Sequence, residues 1–451
     1  MDGTEVVAHF VRETRWEALP PEVQRKVKLC LLDALGAALS GTITPISRLT
    51  AAFAAQTWPG NEATILLHGK RTTAVGAAFA NGYAANGFDT DDGANYTKGH
   101  PGAQLIPTAL AIAEKLGKSG REMLTALVVG YEVAIRMGRC WHDHHAVWQA
   151  CGSWGSVADA ACAAHLMGLE VGQIWHALGI AEYYAPNLPM MRDIDHPAMV
   201  KHGIGWGAMT GIMAAELAGC GFTGIPSLFS LEAYRDWALE IGQPFLMPSA
   251  VWFKDFASCG FGHPAVYAAR RILQQHSVRA EEIEHIRVEA YHETIRLGAK
   301  LPTTTEEAQF NTAWPLAAYL LDGEIGLRQM RDERLTDERV IALARRIELV
   351  ESPTFTEWAR LRLLNDPGGK YVARMTMTLR DGRTLDSGEV EAIGYDEDAR
   401  WDEARLARKF KWLLEDVLPK DLTAEVIEMV WAFDQLPDVR ALTSRLTKGH
   451  K

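Results

Sequence analysis

The spacing of apolar residues changes once along this chain, in its second half. Before that change, runs such as Leu105–Leu116 and Val157–Met167 repeat apolar residues at helical spacing, and each run ends at a glycine. Ser119 and Glu122 have the spacing of a capping box, which predicts the start of a further helix. The pattern predicts a large all-helical domain, which we place at residues 1–269.

A different spacing follows. Residues 283–290 alternate between apolar and polar side chains, as strands do, and two further strand-like runs flank Asp381-Gly382, which is typical of a hairpin turn. We therefore predict a smaller α+β domain at residues 270–395 that acts as a lid. The helical segment 396–451 is expected to return to the first domain. The predicted fold class is mainly α.

Length and charge exclude several classes of protein. A chain of 451 residues is too long for one hydrophobic core, so at least two domains are expected. The net charge of −11 and the absence of a Lys/Arg block argue against a nucleic acid or an anionic membrane as partner. No apolar run is long enough to span a membrane. The six cysteines are scattered, and the first 20 residues lack the apolar core of a secretory signal. We expect a cytoplasmic protein with reduced thiols.

Three carboxylates stand within four residues, at Asp89, Asp91 and Asp92, and a His-Pro-Gly turn follows at His100. Like charges so close raise one another's pKa, which is one way to make a carboxylate a proton-transfer group. His100 would lie near the start of the next helix, where anions are favoured. A plain turn with solvated acids has the same composition, so the residues alone leave both interpretations open.

This block resembles the signature of the MmgE/PrpD family, which includes 2-methylcitrate dehydratases, cis-aconitate decarboxylases and iminodisuccinate epimerases. Further stretches match in the family's order: Gly152–Gly155, Val200–Ala208, Gly221–Gly224, His263–Ala265 and Leu320–Gly323. The resemblance runs over most of the chain. It implies the fold predicted above, an enzyme that needs no cofactor and no metal, and a homodimer.

The resemblance also implies roles for individual residues. The family's active-site Asp, His and Lys correspond to Asp89, His100 and Lys201, although another register would move the lysine by one residue. We expect Lys201 and His100 to bind a carboxylate and move a proton. Asp89 would orient His100 or act as the base, its pKa raised by the two neighbouring acids. We assign substrate binding to Asp92, Gln149, His202 and Trp314.

Three positions depart from the family pattern. Gly93 replaces a hydroxyl residue, Gln149 a catalytic histidine, and Trp314 a tyrosine. Because glutamine cannot exchange a proton near neutrality, an acid or base is missing at that position. One hypothesis is that a histidine just upstream (His142, His144 or His145) takes its place. The alternative is that these three belong to a solvated, His-rich loop.

The preferred function is therefore a hydro-lyase acting on a small polycarboxylic acid, such as an analogue of citrate or 2-methylcitrate, through an enediolate-like carbanion. A decarboxylase or an epimerase of the same family uses the same intermediate and is the nearest alternative. The departures at Gln149 and Trp314 also leave open a paralogue that binds polycarboxylates without catalysis.

Overall fold

The computed structural model describes residues 2–364, 366–392 and 401–449. The first part of the chain is helical apart from two short antiparallel pairs, β1 (Ala63–Ile65) with β2 (Lys70–Thr72) and β3 (Gly93–Ala94) with β4 (Val251–Trp252). Its helices are α1 (Gly3–Glu13), α2 (Pro21–Gly41), α3 (Pro45–Thr57), α4 (Ala74–Ala85), α5 (Gly102–Leu116), α6 (Gly120–His144), α7 (Cys151–Met167), α8 (Val171–Tyr183), α9 (Met190–Asp195), α10 (Ile204–Gly219), α11 (Arg235–Leu239) and α12 (Met247–Ala250).

Helix α7 lies at the centre of this part and packs against α5, α6, α8 and α10. Small residues on facing helices let the axes approach closely, as at Gly211, where a Cβ atom would lie 2.3 Å from the Cβ of Asp159. The predicted capping box is present, because Ser119 and Glu122 exchange hydrogen bonds at the start of α6. Helices α5 and α7 end at the predicted glycines, Gly117 and Gly168, both in the left-handed conformation.

The second part is built around a four-stranded sheet of order β6-β5-β7-β8. Its strands are β5 (Ile283–Ala290), β6 (Ile347–Glu351), β7 (Val372–Leu379) and β8 (Thr384–Glu391), and its helices are α13 (His263–Gln275), α14 (His292–Leu297), α15 (Thr305–Gln309), α16 (Ala313–Asp322), α17 (Leu327–Met330), α18 (Glu338–Ala344) and α19 (Pro353–Leu363). Strands β5 and β6 are parallel, and the other pairs are antiparallel. The hairpin predicted at Asp381-Gly382 joins β7 and β8, and α13 packs on both strands. The mainly α fold class, with a smaller α+β part, is confirmed.

The chain ends in α20 (Glu403–Leu414), α21 (Lys420–Trp431) and α22 (Arg440–Thr443). Helices α20 and α21 pack on α2, where Phe410 fills the space above Gly36: a Cβ there would lie 2.9 Å from its ring. The last residues return to the first part through a hydrogen bond from Leu67 N to Leu446 O, 2.7 Å long. The domain limits remain predictions, and the limit at 395/396 lies outside the described residues.

None of the described helices has by itself the length and apolarity needed to cross a membrane, and α2 with α3 meets that requirement only as a pair bent by 90°.

Candidate active site

A cavity of about 60 Å³ lies between the helical part and the α+β part. Its basic lining residues are Lys98, His100, His202 and Arg362, and Trp148, Trp252, Phe261 and Tyr371 supply aromatic walls. No acidic side chain is among the described residues that line it. In a chain with 57 acidic and 46 basic Lys/Arg residues, such a lining is the reverse of the average. The cavity is therefore suited to an anion.

The loop Asp89–Asp92 lies directly behind this cavity and is fully buried. Asn86 Nδ2 donates to Asp89 Oδ1 at 3.2 Å and to both Asp91 oxygens at 2.9 and 3.0 Å. Asp92 accepts hydrogen bonds from Gly102 N (2.9 Å) and Tyr131 Oη (2.7 Å), so it fastens the loop to the start of α5. Burial raises the pKa of Asp92 to about 7. Asp92 is not among the residues that line the cavity.

The ring of His100 is oriented by the same loop. Its Nδ1 lies 2.5 Å from the backbone oxygen of Asp92. A carbonyl oxygen can only accept, so Nδ1 carries the proton and Nε2 keeps a lone pair. Burial lowers the pKa of His100 well below its ordinary value, and the positive charge of Lys254 lowers it further. His100 therefore lines the cavity as a neutral base.

Asp89 is paired with a lysine that the sequence did not reveal. Lys254 Nζ lies 3.0 Å from Asp89 Oδ1 and donates to the backbone oxygen of Asp89 at 2.8 Å. Burial alone would raise the pKa of Asp89, but the charges of Lys254 and Lys201 outweigh it and hold that pKa well below its usual range. The expectation that neighbouring acids raise the pKa of Asp89 is wrong, because two buried ammonium groups compensate its charge.

Asp89 still faces His100, since its Oδ1 is 3.8 Å from His100 Nε2. Burial raises the pKa of Asp91, in the same loop. The pKa values of Asp89 and Asp91 are therefore shifted in opposite directions, which favours the charged form of Asp89 and the neutral form of Asp91. Nothing in the sequence around Lys254 matched a motif; its only signal was a lysine directly after the apolar run Val251–Phe253.

Lys201 and His202 approach from the start of α10. Lys201 Nζ donates to Gln309 Oε1 at 2.7 Å, and Gln309 Nε2 in turn donates to Gly87 O at 3.0 Å. Lys201 is buried and does not line the cavity, whereas His202 does. His202 Nδ1 lies 2.8 Å from Asp193 Oδ2, and its ring stacks on that of His100 at 5.6 Å. The structure thus brings the three predicted catalytic residues together, with only His100 at the cavity.

Backbone strain is concentrated here. Among the described residues, five that are not glycine have positive φ, and four of them belong to this site: Asp89 (54°), Lys98 (51°), Lys201 (38°) and His202 (57°). Such conformations cost about 1 kcal/mol or more each and persist where the surrounding structure requires them. The site is therefore held in one arrangement before any ligand binds.

Besides Asp92, two more of the assigned substrate-binding residues lie away from the cavity wall, Gln149 and Trp314. Gln149 Oε1 accepts a hydrogen bond of 2.6 Å from Leu188 N, which holds the loop before α9. Trp314 is buried, and its Nε1 donates to Gln329 O at 3.2 Å. Both side chains have packing roles in the structure. Substrate binding by Gln149 or Trp314 remains a prediction that the positions of these side chains do not support.

Gly93, the third departure, has a steric reason. A Cβ at Gly93 would lie 2.2 Å from the ring of Trp252, which is itself a wall of the cavity. The indole therefore occupies the space into which a hydroxyl side chain would project.

His142 and His144 belong to a helix rather than a loop, because α6 continues to His144, and His145 is the residue that caps the end of this helix. His142 Nε2 lies 2.7 Å from Thr97 O, and burial lowers the pKa of His142 to about 3. His145 stacks on Trp141 at 4.7 Å. None of the three histidines is among the described residues that line the cavity, so the geometry gives no support to their replacing the missing acid or base.

The ligand atoms of Asp89, His100 and His202 lie within 4.8 Å of one another, a spacing that a metal ion can bridge. Lys254, however, already places its ammonium 3.0 Å from the same carboxylate. A divalent cation would have to bind against that charge. The donor set therefore fits proton transfer and anion binding better than a metal.

The chain matches known proteins over most of its length. Residues 5–234 match the MmgE/PrpD N-terminal domain, and residues 256–435 match the MmgE/PrpD C-terminal domain. A cis-aconitate decarboxylase-like protein of Aspergillus oryzae is 24% identical over 98% of this chain and 97% of its own. Cis-aconitate decarboxylase of Homo sapiens is 26% identical over 99% and 94%. 2-Methylcitrate dehydratase of Cupriavidus necator is 25% identical over 84% and 83%.

Proposed function

The chain belongs to the MmgE/PrpD family, and we propose that it is a cofactor-independent hydro-lyase acting on a small polycarboxylic acid. As a member of this family it is an enzyme, and the relatives from Homo sapiens and Cupriavidus necator named above are lyases. The observation that carries the proposal is His100, which lines a cavity with basic walls and whose Nδ1, held at the Asp92 carbonyl, leaves Nε2 unprotonated.

The first step is removal of a proton from the carbon beside a carboxylate. His100 Nε2 accepts that proton, and the Asp92 carbonyl at 2.5 Å from Nδ1 keeps the ring in the tautomer that can do so. Asp89, 3.8 Å from Nε2, stabilises the imidazolium that forms. The carboxylate stabilises His100 more after the proton transfer, when the ring is charged, than before it, when the ring is neutral.

The negative charge that develops on the substrate requires cations or donors in a dry pocket. Lys98 and Arg362 supply positive charge at the cavity wall, and Lys201 and Lys254 supply it from behind. Burial lowers the pKa of Lys98, and an anion in the cavity would reverse that effect by stabilising its charged form. This arrangement favours a substrate with more than one carboxylate.

Loss of hydroxide needs a proton donor on the same side of the cavity. His202 lies beside His100, and Asp193 accepts its backbone N–H at 2.8 Å and lies equally close to Nδ1. The acid role requires the imidazolium form of His202, which the Asp193 carboxylate would stabilise and whose Nε2–H could donate to the leaving group. We assign His202 the acid role, which refines its predicted role in binding.

Decarboxylation is the second candidate, because the relatives from Aspergillus oryzae and Homo sapiens match almost the whole chain. Decarboxylation needs only an acid that protonates the carbanion left after loss of CO₂, whereas dehydration needs a base as well. We rank the hydro-lyase first because it uses both roles assigned here, His100 as the base and His202 as the acid.

Proton NMR in D₂O with a panel of citrate-like hydroxy acids and their alkenes separates the candidates. A hydro-lyase forms an alkene and exchanges the proton beside the carboxylate; a decarboxylase releases CO₂ and leaves a product one carbon shorter. An epimerase exchanges that proton without a new product. Ligand-dependent thermal stabilisation with no turnover of any acid would instead indicate a paralogue that only binds, and would contradict the proposal.

We also propose that the protein is a homodimer. Trp206 (48% exposed), Met213 (45%) and Leu217 (37%) are spaced along one face of α10, and Phe53 of α3 (46%) lies beside them through Phe79. Contiguous apolar surface of this kind is usually covered by a partner. A second copy of the chain, as the family resemblance implies, is the occupant we favour.

Charges on this face should separate the two copies. We expect the double substitution Met213→Asp/Leu217→Asp to halve the molar mass measured by light scattering, because each carboxylate would be buried without a partner. Leu239→Asp is the matched control, since Leu239 is also half-exposed but lies on α11. A wild-type protein that already scatters as a monomer would contradict the proposed dimer.

A further inference from the structure

A second, larger cavity of about 650 Å³ lies between α13 and α20, outside the site described above. Helix α13 belongs to the α+β part and packs on β7 and β8, whereas α20 packs on α2. Among the described residues, the lining contains five basic side chains and a single acidic one, Asp255. The basic residues are Arg270, Arg271, Arg405, Arg408 and Lys409.

Two of these five charges are compensated within the protein. Arg405 Nη2 lies 2.9 and 3.0 Å from the two oxygens of Asp255. Lys409 Nζ donates to Asp33 Oδ1 at 2.6 Å. These pairs cancel two positive charges and use up the only acid of the lining.

The other three charges have no acidic partner among the described residues. Arg271 donates Nη1 to two neutral backbone oxygens, those of Ser387 (3.1 Å) and Glu389 (2.8 Å). Arg270 and Arg408 are exposed and form no hydrogen bond or ion pair with any described residue. The lining therefore keeps a net charge of about three in a chain whose overall charge is −11.

We propose that this cavity binds a small oxyanion with two or more negative charges, held between Arg270 on α13 and Arg408 on α20. A guanidinium group offers paired N–H donors that match phosphate and carboxylate oxygens. The walls also include Trp412 and Trp401. The buried Nε1 of Trp401 has no acceptor among the described residues and so can donate to a ligand. Phosphate esters and polycarboxylates share this chemistry, and the experiment distinguishes them.

Because of where the cavity lies, a bound ligand would have two effects on the protein. It would join α13 to α20, and a ligand that binds only the folded protein raises its stability. It would also lie against Lys409, which donates to Thr90 O at 2.8 Å and so contacts the loop that carries Asp89. The inference does not depend on the reaction proposed above, because none of the five basic residues lines the first cavity.

Calorimetric titration of the full-length protein with pyrophosphate, inorganic phosphate and citrate tests the site. We expect pyrophosphate to bind and to raise Tm, and the variant Arg270→Gln/Arg408→Gln to bind it at least about tenfold more weakly. The matched control is Arg121→Gln/Arg360→Gln, which removes the same charge from two exposed arginines elsewhere. Citrate could also bind in the first cavity. Only the citrate binding that is lost in Arg270→Gln/Arg408→Gln is therefore assigned to this second cavity.

Unchanged pyrophosphate affinity in Arg270→Gln/Arg408→Gln, or an equal loss in the control, would overturn the proposal. A circular dichroism spectrum and a ligand-free Tm equal to the wild type establish that the variant is folded. Binding that appears only after Asp396, Glu397 and Asp398 are neutralised would mean that acids of the same chain exclude the anion, and would overturn it as well.

Discussion

Replacement of His100 by alanine is expected to lower kcat/KM by about a hundredfold or more. The physical reason is that this ring lines the cavity with Nε2 unprotonated, a state maintained by the 2.5 Å contact between Nδ1 and Asp92 O. Steady-state kinetics on the acid identified by the NMR panel measures the loss. Exchange of the substrate proton in D₂O should fall by the same factor, because that step is assigned to His100.

His165→Ala is the matched control. Its Nδ1 also contacts a backbone oxygen, that of Val11 at 2.6 Å, and burial lowers the pKa of His165 too. We expect His165→Ala to lose stability without a comparable loss of turnover. If His100→Ala keeps wild-type kcat/KM, or if both variants lose activity equally, His100 is not the base.

Replacement of Lys254 by methionine is expected to lower the free energy of unfolding by about 3–5 kcal/mol, because it leaves the buried Asp89 carboxylate without its closest cation. Turnover should fall as well, since the pKa of Asp89 would rise and the imidazolium of His100 would lose its counter-charge. Urea denaturation measures the stability, and steady-state kinetics the turnover.

The double variant Lys254→Met/Asp89→Asn separates these two effects. Removal of both charges should restore much of the lost stability, whereas activity should stay low. A double variant no more stable than Lys254→Met would show that Asp89 is not the group compensated by Lys254. At low pH the pair weakens in any case: the lowered pKa of Asp89 adds stability above the unfolded value near 4, and that stability is lost as the pH falls through the folded value.

Local patterns predicted the elements of the fold because these are decided over short distances. The capping box at Ser119, the glycine ends of α5 and α7 and the hairpin at Asp381-Gly382 each depend on a few neighbouring residues. The same local view failed where a helix continued without an apolar signal. One interpretation placed His142, His144 and His145 in a solvated loop, yet α6 continues to His144, and the ring of His142 contacts the backbone oxygen of Thr97.

The sequence by itself identified Asp89, His100 and Lys201 as candidates for proton chemistry, through the resemblance of their motifs to those of the family. Only the tertiary structure decided their charge states. Lys254 reaches Asp89 from 165 residues away, and its charge helps to hold the pKa of Asp89 well below its usual range, whereas the neighbouring acids were expected to raise it. Likewise, the tautomer of His100 and the placement of Trp314 in the core follow from contacts with folded neighbours. Electrostatic free energies depend on distance and burial in space, and neither is written in the order of residues along the chain.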